Sequence, residues 1–302
     1  MRTIWLASYP KSGNTWMRMM IAALSLKEGR TLDINDLPGG GGLASAREPF
    51  DRLTLIDSSL LTHDEVDALR PALYEGLRQG GWYEDEATAD TVRFVKTHDA
   101  YTYLPDGRPL LAGKSGADGA VLIVRDPRDV ALSLANHISR DFAHAISMMN
   151  DPDECFSDRT DRLANQLRQR LLGWSGFNAS WLDQGDLPVL LVRYEDMIAD
   201  AIPVLTRVMA FAGQAQEPDK IARAVALADF AELTAQEAAK GFREAPRSMK
   251  EGLFFRRGKA GAWREDLTAE QIARIESVHA SLMRRLGYDL SDANLRRIGT
   301  TA

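Results

Sequence analysis

Ile4-Trp5-Leu6-Ala7-Ser8-Tyr9-Pro10-Lys11-Ser12-Gly13-Asn14-Thr15-Trp16 decides how the chain is read. The apolar run from Ile4 to Ser8 has the look of a strand buried on both faces of a parallel sheet. It breaks at Pro10, turns through Lys-Ser-Gly-Asn-Thr, and resumes from Trp16 to Leu26 with a helical pattern. Strand, tight turn and helix N-terminus place backbone N–H groups, two hydroxyls and an ammonium around one small volume. The positive end of the helix dipole lies at the same point. Such a site suits a phosphate or a sulfate.

Working outward, Leu32 to Leu60 carries Gly39 to Gly42 and has no clear periodicity. A loop of that length is expected to be an acceptor-side wall or lid, or else a tolerated surface insertion. Thr62-His63-Asp64-Glu65 has capping-box spacing, with Val66, Leu69, Leu73 and Leu77 on one helical face. Pro71 is expected to split or kink that helix, and His63 to be an exposed bystander. Val92 to His98 and Ala120 to Val124 read as second and third strands. Asp126 and Pro127 mark a helix start. A long helix carrying Leu163, Leu167, Trp174, Phe177 and Trp181 on one side is expected before a fourth strand, Leu187 to Tyr194. Asp200 to Lys240 reads as helical, punctuated by Gly213 and Pro218, and Gly241 to Trp263 as irregular and basic. Thr268 to Gln271 opens a final helix with a second capping box. Strands alternating with helices predict an α/β fold, a single domain over 1–302 with a central parallel β-sheet flanked by helices. Its anion site is a P-loop-like strand-loop-helix, and 297–302 is expected to form a loose tail.

Composition narrows the function. Of 302 residues, 37 are Lys or Arg and 43 are Asp or Glu, a net charge of -6, which argues against nucleic acid as a partner. Any anion site must be a local pocket in an acidic protein. The single cysteine, Cys155, excludes an internal disulfide and a cysteine-rich zinc site, and no metal is expected. The first apolar run stops too early for a signal peptide, and no segment approaches the roughly 20 apolar residues of a membrane span. The expectation is a cytoplasmic protein with no membrane span.

In a parallel sheet the C-terminal strand ends share one edge, where ligands bind. That edge gathers Lys11 and Ser12 after the first strand, Lys96 and His98 after the second, and Arg125 after the third. Neither Gly-x-x-x-x-Gly-Lys-[Ser/Thr] nor a dinucleotide-binding glycine fingerprint is present. Instead, Ser8 to Trp16 resembles the 5′-phosphosulfate loop of sulfotransferases that use 3′-phosphoadenosine 5′-phosphosulfate (PAPS). Val124-Arg125-Asp126-Pro127-Arg128-Asp129-Val130-Ala131-Leu132-Ser133 resembles that family's 3′-phosphate segment, and Lys96-Thr97-His98 its catalytic histidine stretch. Tyr194-Glu195-Asp196-Met197 is similar to its strand-end element, and Phe254 to Trp263 to its C-terminal Arg-Lys-Gly segment. The five segments occur in the family's order and span nearly the whole chain.

The resemblance implies transfer of a sulfuryl group from PAPS, leaving PAP, to a hydroxyl of a small-molecule or glycoconjugate acceptor, with an amine as the second choice. His98 would be the general base, with Lys11 and Lys96 stabilising the transferring group. Ser12, Gly13, Asn14 and Thr15 would hold the 5′-phosphate. Arg125, Ser133, Arg256, Arg257 and Gly258 would hold the 3′-phosphate, with Phe254 and Phe255 flanking. Trp16 would stack on adenine with Tyr194 and Phe230 nearby, although Phe230 fits the core equally well. His137, His144 and His279 read as ordinary helical residues.

Some positions depart from the family. Asn14 stands where Thr is frequent, Asp126 where Asn is, and Ala262 replaces an Asp before Trp263, which removes a loop-ordering contact. The dimer motif of many cytosolic members is reduced to Arg264, Thr268, Ala269 and Ala273, so the resemblance sets no oligomeric state. Two other readings stay open, a P-loop-like nucleotide kinase and a non-catalytic sensor that binds PAP or PAPS.

Overall fold

A computed structural model describes residues 2–37, 42–80, 92–245, 253–255 and 258–291. In chain order, β1 (Arg2–Ser8) leads into α1 (Asn14–Leu24), then α2 (Arg47–Thr54), α3 (His63–Gly80) and β2 (Val92–Thr97). There follow α4 (Gly113–Gly116), β3 (Gly119–Val124), α5 (Pro127–Ile138), α6 (Phe142–Asn150), the two-residue strands β4 (Cys155–Phe156) and β5 (Gln169–Arg170), α7 (Gly173–Asp183) and β6 (Val189–Arg193). The remainder is helical: α8 (Tyr194–Ala199), α9 (Ala201–Phe211), α10 (Pro218–Leu227), α11 (Phe230–Lys240), α12 (Trp263–Asp266) and α13 (Ala269–Arg285).

The main sheet runs β2-β1-β3-β6, all parallel. Its register pairs Ala7 with Thr97, Ser8 with Ile123 and Val124 with Arg193. The strand ends carrying Lys11, His98 and Arg125 therefore converge on one edge. Period-two alternation splits the core into two layers. Trp5, Ala7, Leu122 and Val124 face α3, α5, α7 and α13, whereas Ile4, Leu6, Val121 and Ile123 face α1, α9 and α10. Both faces are covered, which is why β3 is apolar at every position without alternation.

Four expectations change. Leu32 to Leu60 is not structureless: α2 lies within it, and Leu43 pairs with Lys96 beside β2. Gly39 to Gly41 fall outside the described residues, as does 297–302. Pro71 does not break α3, which runs uninterrupted through it. Arg70 and Tyr74 on either side are buried and hydrogen-bonded to each other at 2.9 Å, anchoring the helix against the proline's cost. The long helix before the fourth strand is instead the single 11-residue helix α7, preceded by non-helical chain that carries Leu163, Leu167 and β5. Leu172 and Gly173 enter α7 with φ of 56° and 63°, a left-handed step that no helix continues through, and Leu163 is exposed. Trp174, Phe177 and Trp181 are core, as their spacing suggests. Finally, the fourth strand stops at Arg193, and Tyr194 begins α8. Among the described residues no helix is long and apolar enough to cross a membrane.

One polar cluster is wholly inside. Arg70 and Asp99 are both 0% exposed and pair at 2.6 Å. The guanidinium also donates to Asp67 at 3.3 Å and to the Arg168 carbonyl at 3.0 Å. Asp67 is shared with Arg168 and Arg170. This cluster fixes the residue that follows His98 in the chain.

Candidate active site

The β1–α1 turn is shaped by backbone constraint. Lys11 takes φ of 69° and Gly13 φ of 107°. A Cβ at position 13 would lie 2.6 Å from the Tyr194 ring, so only glycine fits. The Asn14 amide donates to the Leu6 carbonyl at 2.8 Å and to Ser8 Oγ at 3.2 Å, tying the turn back onto the strand. That use of its side chain leaves Asn14 its backbone N–H for an anion. Ser12 is 1% exposed, yet its Oγ has no hydrogen-bond partner among the described residues. Thr15 and Trp16 stand in the first turn of α1, whose leading N–H groups have no partner within the helix.

At the adjacent strand end, His98 Nδ1 lies 2.7 Å from the Ser8 carbonyl oxygen. A carbonyl only accepts, so Nδ1 carries the proton and Nε2 keeps its lone pair. Burial, reinforced by the Lys96 charge, holds the imidazole well below its usual pKa. His98 is therefore neutral at pH 7. Lys96 reaches the Glu244 carboxylate at 3.7 Å, and Glu244 also takes Arg18 at 2.8 Å. Lys11 Nζ sits 3.4 Å over the centre of the Phe254 ring. Burial first, then Lys96 and Arg125, push the Lys11 ammonium down to about 7.

Arg125 supplies the other end. Its guanidinium lies 4.2 Å over the Tyr194 ring and donates to the carbonyls of Lys11 at 3.2 Å and Lys259 at 3.4 Å. Its buried Nε has no partner among the described residues. Ser133, two turns into α5, opens onto the same cavity. Trp16 is held by a bond from Nε1 to the Ala228 carbonyl, 2.8 Å, and meets Tyr194 edge to face at 6.1 Å. Phe230 lines the cavity as well, packed under Gly258, where a Cβ would come within 2.5 Å of its ring. Arg256 and Arg257 lie outside the described residues.

Sequence reading overlooked the groups that hold the C-terminal segment in place. Asp129 accepts from the N–H groups of Gly261 at 2.6 Å and Trp263 at 3.0 Å, which tethers the residues on either side of Ala262. Glu237 does the same for Phe254 and Phe255, at 2.6 and 2.9 Å. No sequence pattern links Asp129 to a segment 132 residues away. Asp129→Ala leaves the buried Trp263 N–H and the part-buried Gly261 N–H without their acceptor and should cost about 1.5–3 kcal/mol. Urea denaturation measures this, and a loss below about 0.5 kcal/mol would contradict the tether. His137, read as an ordinary helical residue, also lines the cavity, where burial and the two lysines push its pKa down to about 3.

One cavity thus connects Lys11, Lys96, His98, Arg125, Ser133 and Tyr194. Among the described residues no cluster of His, Cys, Asp and Glu is arranged to hold a metal.

The family model for the sulfotransferase domain matches residues 1–287. Cytosolic sulfotransferase 17 of Arabidopsis thaliana is 26% identical over 299 residues, spanning 94% of this chain and 75% of the relative. Flavonol 3-sulfotransferase of Flaveria bidentis is 25% identical over 285 residues, spanning 91% and 80%. Among solved structures, a mouse sulfotransferase complexed with PAP superposes with a TM-score of 0.58 at 20% identity, covering all of this chain and 89% of that one. At that identity the likeness is one of fold.

Proposed function

Since this chain belongs to the sulfotransferase domain family, we propose that it transfers the sulfuryl group of PAPS to a hydroxyl of a small-molecule acceptor, with His98 as general base. The observation that carries this reading is the meeting of two anion-seeking ends and an unprotonated imidazole nitrogen in one cavity. Buried atoms at both ends, Ser12 Oγ and Arg125 Nε, have no hydrogen-bond partner among the described residues, and phosphate oxygens would supply one.

PAPS supplies an activated sulfuryl group on a phosphate leaving group. The chain's residues do the rest. The β1–α1 turn binds the 5′-phosphate through the Ser12, Gly13, Asn14 and Thr15 N–H groups and the hydroxyls. Arg125 and Ser133 take the 3′-phosphate, and Trp16, Tyr194 and Phe230 form the adenine slot. Lys11 and Lys96 offset charge on the leaving and transferring oxygens, the dominant need in such a transfer. His98 Nε2 accepts the proton of the incoming hydroxyl while Ser8 holds Nδ1–H in place.

Lys11 makes the binding pH-dependent. With a pKa near 7 in the free protein, it loses its charge as pH rises, whereas bound phosphate favours the charged form. PAP affinity should therefore fall roughly 20-fold from pH 6.5 to 8.5, and Lys11→Met should flatten that slope.

Thermal-shift titration tests the reading against its rivals. PAP at 100 times its Kd should add about 2.7 kcal/mol of stability. Stabilisation by ATP and not by PAP would favour the kinase. PAP binding with no transfer to any acceptor would favour the sensor.

A further inference from the structure

Glu244 lines the cavity beside Lys96, although a carboxylate there repels an incoming sulfuryl group. The turn that presents it is fixed from several sides. The Asn35 side chain donates to the Gly241 carbonyl at 2.9 Å and accepts from the Arg243 N–H at 2.7 Å. Phe242 is buried against Phe254 and Phe255, with ring centres 5.0 and 5.3 Å away. Arg18 reaches over from α1, and its Nη1 donates to both Glu244 oxygens at 2.8 and 2.9 Å. The carboxylate is built into this wall.

Its two cationic neighbours are held differently. Arg18 takes the tight bonds, whereas the Lys96 ammonium stands at 3.7 Å, beyond hydrogen-bond distance. Among the described residues Glu244 is the only carboxylate within 4.0 Å of that ammonium. Lys96 thus gains the attraction of the charge without being tied to it. Burial pushes the ammonium down from its ordinary pKa, Glu244 opposes that shift, and Arg18 adds to it. Burial also lifts the Glu244 carboxyl, but Lys96 and Arg18 outweigh it and hold the group below the usual range.

Resting on the sulfotransferase reading above, we infer that Glu244, anchored by Arg18, is a positioning residue that holds the Lys96 ammonium at the end of β2, free to turn onto the sulfuryl oxygens. The groups acting on Lys96 come from every side: Arg18 from α1, Lys11 from the β1–α1 turn, His98 beyond β2, His137 from α5, and Glu244. Glu244 is the one anion among them. Without it, Lys96 gives up its proton at lower pH and loses the partner that orients it.

The test is Glu244→Gln, assayed with ³⁵S-labelled PAPS and a simple phenol across pH. At pH 7 kcat should fall at least about tenfold, the scale of a misplaced catalytic group. The alkaline loss of kcat should begin about half a pH unit lower or more than in wild type. PAP carries no sulfuryl group, so its affinity should be no weaker than in wild type, which a merely structural residue would not preserve. Glu244→Asp keeps the charge and should restore the alkaline limb. In a Lys96→Met background Glu244→Gln should cost nothing further, which separates Lys96 from Lys11. Arg18→Gln frees the carboxylate and carries the same test should Glu244→Gln fail to fold. Unchanged kcat and alkaline limb, weakened PAP binding, or an undiminished loss in the Lys96→Met background overturns this inference alone. No transfer by wild type to a phenol or any other hydroxyl compound overturns the sulfotransferase reading with it.

Discussion

His98→Ala is expected to lower kcat/KM for sulfuryl transfer by roughly 10²–10⁴-fold, the contribution of a positioned proton acceptor, while PAP binding stays close to wild type. The reason lies in how the imidazole is held. Its Nδ1–H is committed to the Ser8 carbonyl at 2.7 Å, so only Nε2 is free, and burial with Lys96 nearby keeps it unprotonated. Because the folded-state pKa is pushed below the ordinary value near 6.5, the base stays competent throughout neutral pH. Loss of rate through His98 protonation should appear only on the acid side of 6.5. Steady-state kinetics of both proteins across pH, with PAP titrations beside them, checks each half. Full activity in the variant would remove His98 from the role of base, and loss of PAP binding would make it structural.

Arg70→Met is expected to destabilise the protein by about 3–5 kcal/mol, the cost of breaking a buried ion pair by removing one partner. Arg70 is fully buried, and every face of its guanidinium is used: Tyr74 Oη at 2.9 Å, Asp99 at 2.6 Å, Asp67 at 3.3 Å and the Arg168 carbonyl at 3.0 Å. Without it, Asp99 is left charged in a dry interior. Tyr74 in turn donates to the Ala44 carbonyl at 3.0 Å, so the cluster links α3 to the segment paired with Lys96. Urea denaturation at pH 7 gives the loss from the change in midpoint. Adding Asp99→Leu should recover part of it, since an apolar pair often replaces a buried ion pair at little cost. A single-variant loss under about 1 kcal/mol would show that the cluster is not a clamp.

These two residues mark what the sequence could and could not convey. The placement of His98 was legible because it follows an apolar run two positions after Lys96, and because parallel strands share an edge. Asp126 as a cap and Thr268 with Gln271 as a capping box were legible because helix ends are local: the Asp126 side chain does accept from Arg128 N–H, and both halves of the Thr268 box are formed. The Arg70–Asp99 pair was not, since 29 residues separate its members and the adjacent Pro71 suggested a helix break. Asp129 and Glu237 were missed for the same reason, each meeting its N–H partners only through tertiary folding. The boundary at Leu172 and Gly173 was hidden because the apolar spacing of Leu163 and Leu167 runs on into Trp174 across a left-handed step that only backbone geometry reveals. Local chemistry was readable, whereas long-range polar pairing was not.

The central claim is most directly tested by incubating the protein with ³⁵S-labelled PAPS and a panel of hydroxylated small molecules, then following the label. The account predicts label in an acceptor with wild type and at least a hundredfold less with His98→Ala. Label retained on the nucleotide across the whole panel while PAP binds, or equal transfer by the two proteins, would contradict it.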